Sequence, residues 1–169
     1  MKALAESKWR QVATYFALVI ILTVPFWFAG ALAQARVLPG LSLAAFAIIV
    51  PPISAVLVAS AAGRQAILSL FATLGTSGRH KPLIVLVAVM VPLAIPVVSR
   101  SIPGFGELTF PGLGIALSLI PVFFIAAIAE EIGWSAFATE RVADRAGVLT
   151  AGLVVGTIWA IWHIPALVG

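Results

Sequence analysis

Five long apolar stretches, separated by short polar segments, dominate the chain. They run over residues 12–33, 41–62, 82–98, 113–137 and 148–166. A helix of about 20 apolar residues crosses the hydrocarbon core of a bilayer, and each stretch is long enough, or nearly so, to do this. The pattern therefore predicts an all-α fold, a polytopic membrane helix bundle with about five transmembrane helices.

The composition supports the bilayer as the solvent of this chain. Hydrophobic residues make up 62% of it and charged residues only 9%, whereas soluble domains carry roughly 25% charged residues. No second, polar domain is evident, so residues 1–169 are predicted to form a single transmembrane domain. A short interfacial helix is predicted at 65–74. Residues 99–112, rich in Pro and Gly, are predicted to be an external turn region.

The net charge of +4 is explained by topology. With the N-terminus in the cytoplasm, eight Lys and Arg residues are cytoplasmic and two, Arg36 and Arg100, are external, as the positive-inside rule expects. No basic stripe alternates with aromatic residues, as a single-strand binding groove requires. The sequence predicts a multi-pass protein of the cell membrane that contacts the lipid bilayer and no nucleic acid. With no cysteine present, thiol chemistry is excluded.

Ionisable residues occur at two matched positions in the last two apolar stretches. Glu130 and Glu131 lie in the fourth stretch and His163 in the fifth. If residues 113–166 form a helical hairpin, the midpoint between the acids and the histidine falls at Gly147, in the polar turn, so both lie at one depth. Ionisable groups at membrane depth are costly and mark functional sites by default. The sequence therefore predicts a carboxylate and histidine cluster inside the bilayer.

Helical periodicity divides the fourth stretch into two faces. Glu130, Trp134 and Phe137 share one face, and Glu131 and Ser135 share the neighbouring face about 100° away. A cavity that touches both faces would contain both carboxylates. A carboxylate can take a proton from water and later return it to a leaving amine, so the cluster suits water activation.

The fifth stretch carries an aromatic residue and two glycines at helical spacing. Trp159 and His163 are i, i+4 neighbours, so the indole is predicted to wall the same cavity. Gly152 and Gly156 are also four residues apart, which predicts close packing against the fourth helix. The default interpretation of Trp134, Trp159 and Trp162 is packing or an interfacial belt rather than catalysis.

Two short motifs at these positions resemble the CPBP family of intramembrane proteases, also called the ABI family, which includes the CAAX prenyl endopeptidases. Glu130-Glu131-Ile132-Gly133-Trp134 resembles the Glu-Glu pair of its first motif. Trp159, four places before His163, resembles the second. The two motifs are separated by 33 residues, from Glu130 to His163.

Two departures from the family pattern bear on the interpretation. Ser135 stands where the family has an arginine after the tryptophan. The family's third motif, a later histidine followed four residues on by asparagine or aspartate, does not occur, and the other histidine is His80. We expect the sequence to be truncated before this motif, as the N-terminal part of a longer family core.

The resemblance implies an endopeptidase that hydrolyses peptide bonds in or near the membrane, on the cytoplasmic side. Glu130 would activate the water, His163 would orient it or stabilise the oxyanion, and Glu131 would assist. The implied substrate is a membrane-associated or lipidated peptide or protein. The resemblance leaves open a metalloprotease with a divalent metal such as zinc, which usually needs three protein ligands.

Other functions stay open at this point. Ser135 and the missing third motif favour a non-catalytic membrane scaffold or bacteriocin-immunity protein of the same fold. The acids could also serve as a proton relay in a transporter subunit. A rhomboid-type serine protease with Gly75-Thr76-Ser77-Gly78 is disfavoured, because this run lies in a polar loop. An aspartyl protease is excluded, since Asp144 is the single aspartate and lies in a polar turn.

Overall fold

The computed structural model describes residues 2–31, 36–38, 41–75 and 113–168. Side chains are described for 8–30, 43–72 and 121–165. The predicted third stretch and the predicted external turn region lie outside the described residues, as do Ser77 and His80.

The described chain is built almost entirely from helices. Two short antiparallel strands, which pair Arg36 with Ser42 and Leu38 with Leu41, precede the second helical region. The elements are α1 (Lys2–Ala31), β1 (Arg36–Leu38), β2 (Leu41–Ser42), a 3₁₀-helix (Leu43–Ile49), α2 (Val50–Ser60), α3 (Arg64–Gly75), α4 (Leu113–Gly133), a π-helical segment (Trp134–Thr139), α5 (Glu140–Ala146) and α6 (Val148–Val168).

Four helical regions of the described chain are long and apolar enough to cross a membrane. They cover Lys8–Gly30, Leu43–Ser60, Pro121–Ala146 and Val148–Pro165. The predicted all-α membrane helix bundle is thereby confirmed, and the interfacial helix predicted at 65–74 corresponds to α3. The chain divides into two compact units, one formed by Met1–Leu74 with Ile125–Gly169 and one by Gly75–Phe124. The helix packing and the candidate site lie in the first unit. The single transmembrane domain over residues 1–169 stays a prediction.

The second span begins as a 3₁₀-helix and continues as α2 from a pair of prolines. Pro51 and Pro52 occupy the first turn of α2, where a missing N–H is tolerated. They cannot donate the α-helical hydrogen bonds to residues 47 and 48, and the position before a proline disfavours the α conformation. The preceding Leu43–Ile49 segment has 3₁₀ geometry over seven residues, which is longer than usual.

Gly147 forms the turn between the last two spans, as the sequence predicts. Its φ of 83° lies in the left-handed region, which favours glycine. Its N–H donates to the carbonyl of Ala143 at 3.0 Å, which closes the end of α5, and its own carbonyl accepts from Ala151 at 3.0 Å. The helical hairpin on which the predicted site depends is therefore present.

Aromatic packing between α1 and the π-helical segment forms the centre of the core. The ring centroid of Tyr15 lies 5.0 Å from that of Phe137 and 5.9 Å from that of Trp134. All three residues are buried, whereas Glu131 and Ser135 are exposed. The two faces predicted from the helical spacing are thus confirmed.

The predicted packing role of Gly152 and Gly156 is wrong. Both glycines are exposed, and a Cβ added to either would meet no described atom within 4 Å. Ala151 and Val155, which have the same i, i+4 spacing one residue earlier, are buried instead. The helix therefore turns the face of Ala151 and Val155 to the core, and not the face of the two glycines.

Gly133 permits a close approach between α4 and α2. A Cβ added to Gly133 would lie 2.6 Å from the Cβ of Pro51 and 2.8 Å from its carbonyl oxygen. The contacting atoms belong to a proline ring and the backbone, which cannot rotate away. Glycine at this position therefore sets the distance between the helix of Glu130 and the second span.

We expect Gly133→Ala to lower the stability of the protein, because overpacking a close contact typically costs about 1–3 kcal/mol. Thermal unfolding of the purified protein in detergent, with Gly156→Ala as the matched control, measures the effect. Gly156 also lies within a helix but has open space around its Cβ position, so its variant should keep or slightly raise the midpoint. Equal midpoints for both variants would contradict the close approach.

Candidate functional site

Glu130 and His163 face each other across the helical hairpin. Glu130 lies near the end of α4 and His163 near the end of α6, and Glu130 Oε1 is 3.7 Å from His163 Nε2. The side chains are 17% and 28% exposed, respectively, so neither is freely solvated. The matched depth predicted from the turn at Gly147 is confirmed by this distance.

Trp159 holds the other oxygen of the same carboxylate. Its indole Nε1 donates a hydrogen bond of 2.9 Å to Glu130 Oε2, and its ring centroid lies 4.2 Å from that of His163. The sequence predicted that this indole walls the cavity beside the two groups, but Trp159 is not among the residues that line that cavity. The sequence did not predict the hydrogen bond. The available signal was a donor one helical turn before His163, at the depth of a carboxylate that needs partners.

The hydrogen bonding of His163 indicates its tautomer. His163 Nδ1 lies 2.9 Å from the carbonyl oxygen of Trp159. A carbonyl only accepts, so Nδ1 carries the proton, and in the neutral ring Nε2 keeps the lone pair that faces Glu130. The 3.7 Å gap to Glu130 is too long for a direct hydrogen bond. A water that lies beside both atoms, on the cavity side, can bond to each of them.

Trp162 connects the site to the first span. It is 4% exposed, its Nε1 donates to Thr23 Oγ1 at 2.9 Å, and its ring meets that of His163 edge-on with centroids 4.7 Å apart. Thr23 is fully buried on α1. The sequence motifs do not involve α1, and a threonine within an apolar stretch was the one signal that this helix contacts the site.

A cavity of about 130 Å³ adjoins the facing carboxylate and imidazole. Its wall is apolar except for these two groups and the indoles. The residues that line it are Trp27, Ala44, Ala45, Ala47, Ile48, Glu130, Trp162 and His163. A water needs on the order of 10–15 Å³ by such a measure. The cavity can therefore hold water beside the carboxylate together with part of a substrate.

Glu131 is not brought to the cavity. It is exposed, as is Ser135, and it forms no hydrogen bond or ion pair with the part of the chain that the structure describes. The physical reason is the 100° rotation between successive residues of a helix. The cavity reaches the face of Glu130 and not the neighbouring face. Of the three predicted site residues, Glu130 and His163 therefore meet at the cavity, and Glu131 does not.

The donor set at this site does not match a complete zinc centre. Glu130 Oε1 and His163 Nε2 supply two donors, whereas catalytic zinc usually has three protein ligands. Within the described ranges, no group of three His, Cys, Asp or Glu side chains lies close enough to hold a metal ion. The described residues alone therefore do not fit a three-ligand metal site.

Polar contacts link α1 to α5 at the end of the bundle that is far from Glu130. Lys8 Nζ pairs with Asp144 Oδ2 at 2.7 Å, and Arg141 Nε donates to Gln11 Oε1 at 3.1 Å. Glu130 precedes Asp144 by 14 residues, which is about 21 Å along a helix. If the charged end faces the cytoplasm, a substrate from that side reaches the carboxylate only through a path of about this depth.

The C-terminal part of the chain is similar to known proteins. Residues 112–169 match the family described as Type II CAAX prenyl endopeptidase Rce1-like. A curated relative, CAAX prenyl protease 2 of Methanococcus maripaludis, is 30% identical over 59 residues, which cover 33% of this chain. The chain spans only 22% of the length of that relative. No solved structure matches the chain.

The matched segment contains α4, the π-helical segment, α5 and α6, and so both members of the facing pair. Trp27 and the 3₁₀-helix, which complete the cavity, lie outside it, as does Thr23, which bonds to Trp162. The resemblance predicted from the two short motifs is confirmed over this segment. The C-terminal third of this multi-pass membrane protein is similar to the Rce1-like CAAX prenyl proteases of the CPBP family.

Proposed function

We propose that this protein is an intramembrane endopeptidase of the CPBP type, in which Glu130 activates a water held by His163. The observation that carries the proposal is the facing of Glu130 Oε1 and His163 Nε2 across 3.7 Å beside a cavity. The similarity of residues 112–169 to a protease family supports the same reaction class.

The proposed reaction uses one carboxylate first as a base and then as an acid. Glu130 Oε1 takes a proton from water while the water oxygen attacks the peptide carbonyl carbon, and the carbonyl π electrons move to its oxygen. When the tetrahedral intermediate collapses, the C–N bond breaks and the proton on Glu130 passes to the leaving nitrogen. General acid and base groups of this kind typically contribute about 10²- to 10⁴-fold in rate.

The neighbouring side chains assign the two oxygens of Glu130 different tasks. The indole of Trp159 holds Oε2, so Oε1 faces the imidazole and the water. His163 Nε2 accepts a hydrogen bond from that water in the neutral ring, and a protonated ring would donate to the developing oxyanion. Trp162, fixed by Thr23, limits the rotation of the imidazole by edge-on contact.

We further propose a membrane-associated or lipidated peptide as the substrate class. The curated relative is a CAAX prenyl protease by name, and the cavity wall is largely apolar. Eight of the ten Lys and Arg residues lie in the N-terminal segment and in the segments predicted on the same side of the membrane, which supports a cytoplasmic N-terminus.

The full-length purified protein should cleave a prenylated, membrane-tethered peptide in H₂¹⁸O and place ¹⁸O in the new terminal carboxylate. Because water attacks directly, added hydroxylamine should yield no hydroxamate. A trapped hydroxamate would instead show an acyl-enzyme, as a serine protease forms. Absence of cleavage from a folded, full-length protein would remove the proposed activity.

One observation favours a second candidate, a non-catalytic membrane scaffold of the same fold. Ser135 is exposed and neutral where the family motif carries an arginine, so this position lacks a positive charge beside the Glu-Glu pair. A scaffold of this kind would bind a membrane partner equally well with or without Glu130, whereas the protease requires the carboxylate.

A further inference from the structure

Three buried side chains carry polar atoms without a hydrogen-bond partner among the described residues. They are Tyr15 Oη, Ser54 Oγ and Trp134 Nε1. Tyr15 and Ser54 are 0% exposed and Trp134 is 5% exposed. An unpaired polar group in an apolar interior costs roughly 1–3 kcal/mol by mutational data. Buried polar groups are almost always paired with protein or with ordered water.

The three side chains come from three elements that pack on one another. The rings of Tyr15 on α1 and Trp134 in the π-helical segment are perpendicular, with centroids 5.9 Å apart. Ser54 lies one turn after Pro51 on the same face of α2, and Pro51 packs directly on Gly133, the residue before Trp134. The three side chains therefore belong to elements that pack on one another.

The donors and acceptors of this set complement a water molecule. The Trp134 indole can only donate, whereas the hydroxyls of Tyr15 and Ser54 can donate and accept. A buried water typically makes about three hydrogen bonds to otherwise unsatisfied groups. Water can accept from the indole and donate to hydroxyl oxygens, so its valence matches this set.

We propose that Tyr15, Ser54 and Trp134 bound a buried water site behind the wall of the Glu130 cavity. Trp134 lies one turn after Glu130, and its ring centroid is 5.7 Å from that of Trp162, which lines the cavity. The site stands on the burial and valence of these three side chains and does not depend on the proposed protease activity. It would also keep a water within one layer of side chains of the carboxylate.

Two tryptophans of the core supply a matched comparison for a direct test. Trp134 and Trp162 are similarly buried, but the Trp162 indole is already bonded to Thr23. In ¹⁵N-tryptophan protein in lipid bilayers, solid-state NMR should show a dipolar cross peak between water and the Trp134 indole proton. Ser54→Ala should weaken this peak and leave the Trp162 signal unchanged, because the Trp162 indole donates to Thr23 and borders the other cavity. Trp134→Phe and Trp162→Phe assign the two signals.

Absence of the water cross peak at Trp134 would overturn the site. Two variants test the bound water through stability. Tyr15→Phe and Ser54→Ala should each weaken the Trp134 cross peak and lower the thermal midpoint, because each removes a partner of the water. If the atoms were unpaired, removing a hydroxyl would raise the midpoint, and that result would also overturn the proposal.

Discussion

Replacement of Glu130 by glutamine should lower the rate of peptide cleavage by the full-length protein by about 10²- to 10⁴-fold. The amide has nearly the same shape, and its oxygen can still accept the hydrogen bond from Trp159 that the carboxylate accepts at 2.9 Å. It cannot take a proton from water. The fold should therefore persist, with an unchanged thermal midpoint, while the rate of cleavage falls. Cleavage of a prenylated, membrane-tethered peptide measures the rate.

Glu131→Gln is the matched control for this variant. Glu131 is the next residue in the chain but is exposed and makes no hydrogen bond or ion pair within the described residues. We expect this variant to keep much more activity than Glu130→Gln, even though the family resemblance implies an assisting role for it. Full activity in Glu130→Gln would remove the proposed base, and equal losses in both variants would contradict the separation of the two faces.

The second large effect is expected for His163→Ala, again about 10²- to 10⁴-fold in rate. The variant removes the Nε2 atom that faces Glu130 Oε1 and the Nδ1 donor that bonds to the Trp159 carbonyl. That carbonyl belongs to the preceding turn of the same helix, so no contact between helices depends on this bond. The cleavage rate should fall much further than the stability.

Thr157→Ala is a suitable control for the histidine variant, because Thr157 is an exposed polar residue on the same helix. Its rate should stay within a few-fold of wild type. Added imidazole should partly restore the His163→Ala variant if the ring acts on water, since the cavity of about 130 Å³ opens beside the vacated position. A wild-type rate in His163→Ala would show that the imidazole has no part in the reaction.

The features that sequence could predict rest on constant helical geometry. The lengths of the apolar stretches predicted the membrane spans, because a fixed rise per residue relates helix length to bilayer thickness. The same constancy placed Glu130 and His163 at one depth on either side of Gly147, whose positive φ makes the turn. The choice between Glu130 and Glu131 needed the structure, since it depends on which face meets another helix.

The features that sequence could not predict arise from contacts between distant segments. Thr23 reaches Trp162 from a helix 139 residues earlier in the chain, and no local pattern marks that pairing. Gly152 and Gly156 carry the spacing of a packing face, yet they face outward while Ala151 and Val155 are buried. Because lipid and protein interior are both apolar, hydrophobicity does not distinguish these two faces.

The cleavage rate of the double variant Glu130→Gln/His163→Ala tests most directly whether the two side chains act on one water. Groups that act as a unit have strongly non-additive effects on rate. We predict that the double variant cleaves the tethered peptide at nearly the rate of the slower single variant. A double variant slower by the product of the two single effects would contradict a shared water and show that Glu130 and His163 act independently.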